Sequence, residues 1–394
     1  MIVHTLSNCV LRFKIPLLAL STLFLLVDPA ARQADRAVGE SVYPIYWDWR
    51  QPPFTIYWGH VIPAAFLPRW GGENQELIYV FTGDYYNYTQ IPDGLWASLD
   101  RGKTWENRLL NPRSRFNDLE IHPQESDILF IAEDNTYDPG GIDRSEDGGW
   151  TWANVLSGRI VYDIEVDPLN PAIVYASTCC TPIGGVFRSE DTGETWNQVA
   201  PETYLSTIRP HPTQEGVVYG ARWFSSSFEE GIYYSSDYGT TWEQIAGLYG
   251  GQPYLEIDPH NPDRMVAFGR SYGGIWLSEN GGQDWELISE ALPIIIADPT
   301  ILSAAFDPSA PETIWVGLKY GGIYVTRNDG LTWEPSNSGI YAGSGINGPQ
   351  CLGMDFNKSG DLIIVCDGLF YVGLEILPTF IPLILNDVAA AFQR

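Results

Sequence analysis

The sequence predicts an all-β protein: a seven-bladed β-propeller of four-stranded antiparallel blades, with a six-bladed ring as the alternative. Three observations lead to this prediction: a composition typical of short strands and turns, an eight-residue segment that recurs six times, and a strand–turn–strand pattern before the copies. The chain has 394 residues, 44% of them apolar, with 39 Gly and 28 Pro. This composition suits many short strands joined by turns and can supply a large core.

The recurring segment has the pattern S-x-D-x-G-x-T-W. Its six copies are "SLDRGKTW" (98–105), "SEDGGWTW" (145–152), "SEDTGETW" (189–196), "SSDYGTTW" (235–242), "SENGGQDW" (278–285) and "TRNDGLTW" (326–333). Successive final tryptophans are 43 to 48 residues apart. A repeat period in the forties, with several short strands per repeat, is typical of propeller blades.

Two further predicted strands precede most copies of the eight-residue segment. In "LEIHPQESDILFIA" and "IEVDPLNPAIVYAS", for example, an apolar strand, a turn and a second strand rich in β-branched or aromatic residues follow one another. A third strand such as "GVFRS" then leads into the eight-residue segment, which we interpret as a turn, and a fourth strand such as "TWNQVA" follows. Each repeat therefore predicts one four-stranded blade.

The two ends of the repeat region decide the number of blades. After the sixth copy, "CLGMDF", "LIIVCD" and "LFYVGLE" supply three strands, so a seventh blade lacks its fourth strand. The apolar stretch "YPIYWDWRQPPFTIYW" (43–58) precedes the first blade and could donate that strand. Such a donation would close the ring and remove both free sheet edges. We therefore expect a propeller over residues 43–375.

The segments outside the propeller are both apolar. Arg12 and Lys14 precede an uncharged apolar run of 13 residues (15–27), and small residues follow around Ala31 and Ala34. This pattern predicts a signal peptide over residues 1–34 and a secreted or cell-envelope protein, with an uncleaved anchor as the alternative. The C-terminal apolar tail (376–394) contains an apolar run too short to span a membrane. It could pack on the propeller or act as a recognition tag.

Charge restricts the possible partners. The formal net charge is −27, from 49 acidic and 22 basic residues. Such a field repels phosphate backbones and anionic lipid surfaces, so we expect no nucleic-acid or membrane partner, and no transmembrane span in the mature chain. We expect a monomer without a cofactor.

The cysteines predict a disulfide in the last blade. Folding "CLGMDFNKSGDLIIVC" as a hairpin brings Cys351 close to Cys366, and an exported chain permits a bridge there. Cys179 and Cys180 are adjacent and could form a vicinal disulfide, remain as thiols or bind metal. We expect no metal site, because no further His or Cys lies at ligand spacing.

The eight-residue segment resembles the Asp box, also called the BNR repeat, of sialidases, sortilin-type domains, two-propeller xyloglucanases and photosystem II assembly-factor propellers. The resemblance covers roughly residues 60–375. It implies that the boxes lie on the hairpin between the third and fourth strands, on the face away from the ligand site. It therefore implies a structural role for Asp100, Trp105, Asp147, Trp152, Asp191, Trp196, Asp237, Trp242, Asn280, Trp285, Asn328 and Trp333.

The opposite face is the candidate ligand site. In a propeller, first strands begin and second strands end at the mouth of the central channel opposite the boxes. Bases lie at second-strand ends in three consecutive blades and acids in three others, so the mouth could hold a ligand with an anionic group and hydroxyls, such as a sugar acid. The candidate mouth residues are Asp84, Tyr85, Asp118, Glu133, Asp134, Asp163, Arg222, Trp223, Arg270, Lys319 and Asp367.

One step further along the first strands is a second set of mostly charged positions. These are Glu120, Glu165, Arg209, Glu256, Ala305 and Asp355. Buried like charges must pair, hydrate or bind a cation. We expect Arg209 and channel water to be the partners of the acids, with a channel cation as a lesser alternative.

Two functions are compatible with this sequence. The first is a non-catalytic binding propeller that presents aromatic-rich loops such as "GDYYNYTQ" and "RWFSSSF" to a carbohydrate or an extracellular protein. The alternative is a glycoside hydrolase of the sialidase-like or xyloglucanase-like kind, for which no catalytic residue can be assigned. The early Arg-Ile-Pro stretch of sialidases has no match in the mature chain, and one ring is half of a two-propeller xyloglucanase. An assembly-factor role would be expected to show a basic patch.

Overall fold

The computed structural model describes the strands of the repeat region and most of their turns. The described residues are 45–50, 68–71, 74–82, 94–110, 115–134, 140–179, 184–222, 230–248, 253–269, 274–292, 300–319, 321–338, 340, 351–357, 361–366 and 369–375. All of them belong to one compact unit, Val42–Arg394. The predicted signal peptide and C-terminal tail lie outside the described residues.

The first blades are built from consecutive strands. After β1 (Ile45–Arg50), blade 1 comprises β2 (Pro68–Gly71), β3 (Asn74–Thr82), β4 (Gly94–Ser98) and β5 (Glu106–Leu110). Blade 2 comprises β6 (Arg115–Ile121), β7 (Leu129–Asp134), β8 (Gly141–Ser145) and β9 (Ala153–Ser157). Blade 3 comprises β10 (Ile160–Val166), β11 (Val174–Cys179), β12 (Gly185–Ser189) and β13 (Asn197–Pro201).

The following three blades have the same order. Blade 4 comprises β14 (Thr207–Pro210), β15 (Val218–Arg222), β16 (Gly231–Ser235) and β17 (Glu243–Ala246). Blade 5 comprises β18 (Pro253–Ile257), β19 (Met265–Gly269), β20 (Ile275–Ser278) and β21 (Glu286–Leu287), followed by a 3₁₀ turn at Ser289–Ala291. Blade 6 comprises β22 (Ile301–Phe306), β23 (Ile314–Leu318), β24 (Gly322–Thr326) and β25 (Glu334–Pro335).

The seventh sheet combines the two ends of the described chain. It contains β26 (Cys351–Phe356), β27 (Leu362–Cys366) and β28 (Leu369–Glu375), and β1 pairs antiparallel with β28 as its outer strand. The first strands of neighbouring blades contact one another in ring order, and β26 contacts β2. The described strands thus form seven four-stranded antiparallel sheets in a closed ring, with the N-terminal closure that the sequence predicts.

The hydrophobic core lies between the blades. The second strands are almost completely buried, because each is covered by a blade on either side. Val174 and Ala176 of β11 belong to a cluster with Phe130 of blade 2, whereas Tyr175 belongs to a cluster with Val218 of blade 4. The alternation of side chains along one strand therefore joins each blade to both neighbours.

The hairpin of the last blade places the predicted cysteine pair in register. Cys351 is disulfide-bonded and lies opposite Cys366 in the pairing of β26 with β27. Cys179 is also disulfide-bonded, which excludes the free-thiol alternative for that residue. Cys180 lies outside the described residues.

Candidate functional site

The six Asp boxes have one shared hydrogen-bond pattern. In the second box, Ser145 Oγ donates to Asp147 Oδ1 at 2.9 Å and accepts from the Gly149 backbone N–H at 2.9 Å. Asp147 also accepts from the Thr151 backbone N–H at 2.8 Å and from the Thr151 hydroxyl at 2.6 Å. These bonds, chiefly those from Thr151, lower the pKa of Asp147 to about 2. The aspartate thus organises its own turn.

The boxes that depart from the pattern keep its geometry. In the fifth box, Asn280 Nδ2 donates to Asp284 Oδ2 at 2.9 Å, so donor and acceptor are exchanged relative to an Asp–Thr pair. In the sixth box, Asn328 Nδ2 donates to Thr332 Oγ1 at 2.9 Å. The replacements are therefore compatible with a turn-forming role, since the side-chain bond across the turn is retained.

The fourth box position connects each box to the preceding blade. This residue has a left-handed conformation in all six boxes, with φ between 52° and 69°, and is not glycine in four of them. Its contacts are Arg101 with Asp361 (3.0 Å), Gly148 O with Tyr79 Oη (3.4 Å), Thr192 O with Arg144 Nε (2.7 Å), Tyr238 O with Arg188 Nη1 (2.9 Å), Gly281 O with Tyr219 Oη (3.3 Å), and Asp329 with Arg264. The repeat pattern does not predict this contact, because its partners differ from blade to blade.

Two of the predicted mouth residues hold neighbouring blades together. Asp118 is buried, and its Oδ2 accepts from the Ile164 backbone N–H of blade 3 at 2.9 Å. Asp163 does the same one blade further on, accepting from the Ile208 backbone N–H at 2.6 Å. Each follows a one-residue irregularity in strand pairing, between 116 and 118 and between 161 and 163. Such bulges redirect a side chain, here towards the next blade.

Two of the three predicted bases, Arg222 and Lys319, belong to the described residues. Arg222 Nη2 donates to the Glu202 carbonyl at 3.0 Å, and its guanidinium lies 5.2 Å from the centre of the Tyr233 ring. Lys319 is half-buried, and its backbone N–H donates to the Thr300 carbonyl at 2.9 Å. Both residues therefore lie at the end of a second strand, beside the segment that leads into the first strand of the same blade.

Two further predicted mouth residues lie on β7. Glu133 is buried near the end of β7, and Asp134 is the last residue of that strand. Five predicted residues lie outside the described part of the chain: Asp84, Tyr85, Trp223, Arg270 and Asp367. Whether the three bases converge is therefore still a prediction.

Arg209 of blade 4 pairs with acids of blades 3 and 5 inside the channel. Its Nη1 lies 3.0 Å from Asp163 Oδ2 and 2.5 Å from Glu165 Oε1, and its Nη2 lies 2.9 Å from Glu256 Oε1. Burial raises the pKa of Asp163 to about 7 and that of Glu165 well above its usual range, and Arg209 opposes both shifts. The expectation that Arg209 is a partner of the channel acids agrees with this geometry.

A cavity of about 410 Å³ adjoins this cluster. Glu120, Glu165, Arg209, Glu256 and Asp355 supply its charged lining. The turns between first and second strands contribute Pro123, Pro259 and Asn357, so the cavity lies towards the box side of the channel rather than at the predicted mouth. Within the described ranges, no group of His, Cys, Asp and Glu could hold a metal ion, and no helix there has the length and hydropathy of a membrane span.

The ring of Asp-box blades identifies the chain as a BNR-type β-propeller. The family profile of Sortilin-Vps10, described as sortilin, neurotensin receptor 3, matches residues 184–295, from blade 3 to blade 5. No curated protein sequence matches the chain.

Solved propellers share the fold at low sequence identity. A GH74 enzyme from Niastella koreensis has a TM-score of 0.58 and 17% identity over 77% of this chain. A YCF48 structure with a bound D1 peptide has a TM-score of 0.56 and 18% identity over 84% of this chain. YCF48 from Cyanidioschyzon merolae has a TM-score of 0.55 and 16% identity over 83% of it. The match spans 50% of the GH74 chain but 97% and 98% of the two YCF48 chains. At such identities the similarity concerns the fold alone.

Proposed function

We propose that this protein is an exported, non-catalytic propeller that binds a glycan or an extracellular protein ligand at the channel mouth opposite the Asp boxes. The observation that carries the proposal is the use of the channel carboxylates. Asp118 and Asp163 accept backbone N–H groups of the next blade, and Glu165 and Glu256 pair with Arg209. These carboxylates hold neighbouring blades together, which favours a structural role over a catalytic one.

A glycosidase would need a different arrangement. It requires two carboxyl groups on either side of a scissile bond, one of them protonated, with space for the sugar between them. Asp163 has the raised pKa of a general acid, but its Oδ2 already accepts from Ile208 N–H and Arg209. Its position between two blades favours a structural role.

The binding proposal also draws on the partial matches. The family profile that matches blades 3 to 5 is that of a receptor, and one of the similar single propellers carries a bound peptide. Propellers present their loops around a channel, which suits recognition without chemistry. At the mouth, we propose that Arg222, Arg270 and Lys319 attract an anionic group of the ligand despite the negative charge of the whole protein.

The test is a panel of glycans, peptides and fluorogenic glycosides applied to the purified chain. We expect binding of a carboxylated or sulfated ligand, weakening with salt, and no turnover. The Lys319→Ala substitution should weaken that binding and spare a neutral ligand, as should the double substitution of Arg222 and Arg270 by Ala. Lys103→Ala is the matched control, because Lys103 is exposed on the box face.

Two results would reject the proposal. Turnover of a glycoside that a single carboxylate substitution abolishes would make the protein a hydrolase. If Lys319→Ala weakens binding of charged and neutral ligands equally, the basic mouth does not recognise the anionic group. The same conclusion follows if Lys103→Ala weakens binding as much as Lys319→Ala does.

A further inference from the structure

Three exposed apolar side chains lie on one face of the ring. Leu99, Trp150 and Leu169 are the large apolar residues that are exposed within the described ranges, with 53%, 56% and 46% of their surfaces accessible. Leu99 and Trp150 belong to the first and second boxes, and Leu169 lies in the turn between β10 and β11. The boxes and the turns between first and second strands are at the same end of the blades. The three residues, which we call the box-face patch, therefore occupy this face on blades 1, 2 and 3.

The other repeats show that the fold does not require apolar residues at these positions. The residues that correspond to Leu99 in the other boxes are Glu146, Glu190, Ser236, Glu279 and Arg327. Those that correspond to Trp150 are Lys103, Glu194, Thr240, Gln283 and the half-buried Leu331. Those that correspond to Leu169 are Gln124, Thr213, His260 and Ser309. A single exposed apolar residue is ordinary on a surface, but three in consecutive blades on one face indicate a surface that another segment covers.

The last described strand leads the chain to this face. Leu369 lies opposite Cys366 at the mouth end of the final hairpin, and β28 then runs towards the box end, where it finishes at Glu375. Blade 7 adjoins blade 1 there, because Arg101 of the first box pairs at 3.0 Å with Asp361, in the turn between β26 and β27. The chain therefore leaves β28 on the box face, in the blade next to the one that carries Leu99.

The segment that follows β28 has a sequence suited to covering an apolar surface. Residues 376–386, "ILPTFIPLILN", contain no charged residue, although the whole chain has a net charge of −27. Pro378 and Pro382 disfavour a helix and favour an extended chain. An extended segment of this length spans up to about 36 Å. Stacked sheets lie about 10 Å apart, so the segment is long enough to pass from blade 7 over blades 1 and 2.

We propose that residues 376–386 dock as an extended segment across the box face of their own chain and cover Leu99 and Trp150, with the residues after Asn386 extending towards Leu169. The Trp150 ring is already held by the Arg108 guanidinium, 4.1 Å from the ring centre, so little side-chain freedom is lost on contact. Because the segment is tethered, weak contacts suffice to keep it docked. The mouth is at the opposite end of the channel, so this proposal and the mouth proposal can fail independently.

The first measurement is hydroxyl-radical footprinting of the full chain, with Trp150 oxidation measured by mass spectrometry. In the double variant Phe380→Ser, Leu383→Ser we expect Trp150 to be oxidised at least roughly twofold faster than in wild type, since a docked segment restricts reagent access to the undocked fraction. Trp285 of the fifth box is the internal reference and should not change. Thr379→Ser, which keeps the apolar side chains of the segment, is the control variant and should resemble wild type.

The second measurement observes the segment instead of the patch. Chymotrypsin should cleave after Phe380 faster in full-length Trp150→Ser and in Leu99→Ser than in wild type, because an undocked segment is accessible to the protease. Gln283→Ser changes an exposed residue at the position that corresponds to Trp150 in blade 5, and it should leave the cleavage rate unchanged.

Three results would overturn the proposal. The first is Trp150 oxidation that is the same in wild type and in the Phe380, Leu383 double variant. The second is cleavage after Phe380 that is unaffected by both patch variants, or equally affected by Gln283→Ser. The third is protection of Trp150 that increases with protein concentration and persists in the double variant, which would assign the patch to a second copy of the chain.

Discussion

At the residue scale, two aspartates show how the surroundings of an acid set its pKa. Asp147 lies in an exposed turn and accepts bonds from Thr151, which lower its pKa. Asp163 lies between blades, where burial raises its pKa despite Arg209. Local hydrogen bonds dominate at the first position and desolvation at the second.

The aspartate of a box should be sensitive to acid. Because the pKa of Asp147 is lower in the folded state, its stabilising contribution is present above about pH 4 and lost as pH falls through about 2. In Asp147→Asn this contribution is absent, although the amide oxygen can still accept from Thr151, as Asn328 Oδ1 does from Thr332 at 3.0 Å. Urea unfolding between these pH values measures the free energy of unfolding of wild type and variant. The difference between the two should disappear at low pH. A constant difference would contradict the assignment.

Removing the box tryptophan Trp196 should lower the free energy of unfolding more than removing the exposed Trp150. Trp196 packs against the core between blades 2 and 3 and donates to the Gly193 carbonyl at 3.1 Å. Trp196→Ala should cost about 3 to 5 kcal/mol of unfolding free energy without changing ligand affinity of the folded fraction. Trp150 is 56% exposed and stacks on Arg108, so Trp150→Ala is the control and should cost about 1 kcal/mol or less. Denaturant titration distinguishes the two.

At the element scale, the fourth residue of each box connects its blade to the preceding one. In four boxes the backbone carbonyl of this residue accepts from an arginine or tyrosine of the preceding blade. In the first and sixth boxes the side chains of Arg101 and Asp329 instead form ion pairs with the preceding blade. The boxes are therefore contacts between blades as well as turns within a blade.

Arg144 gives the clearest test of this role. Its side chain is 7% exposed, donates to the Thr192 carbonyl and pairs with Glu146, whose side chain is 67% exposed. Arg144→Met should cost about 1 to 3 kcal/mol, because a polar group between blades loses its partner. Glu146→Gln should cost less than about 1 kcal/mol, because surface ion pairs contribute little. If thermal unfolding shows equal losses, the ion pair rather than the blade contact is responsible.

At the scale of the whole molecule, one arginine and one strand connect parts of the chain that are far apart in sequence. Arg209 contacts acids from blades 3 and 5, and β1 completes the last sheet with residues far away in sequence. Both features depend on the closed ring, because their partners come together only when the blades have assembled.

Arg209→Met should make stability strongly dependent on pH. Removing the guanidinium leaves the acids unpaired, which should cost about 3 to 5 kcal/mol near pH 8. Asp163, whose folded-state pKa is raised to about 7, takes up a proton as pH falls through that value, and burial raises the pKa of Glu165 as well. The cost should therefore shrink towards about pH 5. Chemical unfolding at both pH values measures this, and a cost that does not change with pH would refute it.

Loss of β1 should open the ring. A chain that begins at residue 51 leaves the β28 edge without its partner, and exposed edges pair with other chains. We expect association in light scattering and less cooperative unfolding. A chain that begins at residue 42, the start of the compact unit, is the control and should resemble the full chain. Identical behaviour of both truncations would show that β1 is dispensable.

The sequence by itself determined the repeated parts of this protein. The Asp boxes, the strand order within a blade, the Cys351 hairpin and the position of Arg209 all depend on short-range patterns, and turn chemistry and strand periodicity are local properties. Because the last blade lacked one strand and the apolar stretch 43–58 was not assigned to any blade, even the closure of the ring could be inferred from the chain.

Only the tertiary structure decided what the channel residues do. Asp118 and Asp163 were predicted to face a ligand, yet their carboxylates bind the backbone of the next blade, since a bulge turns each towards Ile164 or Ile208. The described cavity is formed by residues from six blades, and the turns between first and second strands place it on the box side. Contacts between blades join residues more than 40 positions apart, and a period in sequence cannot specify which atoms meet across them.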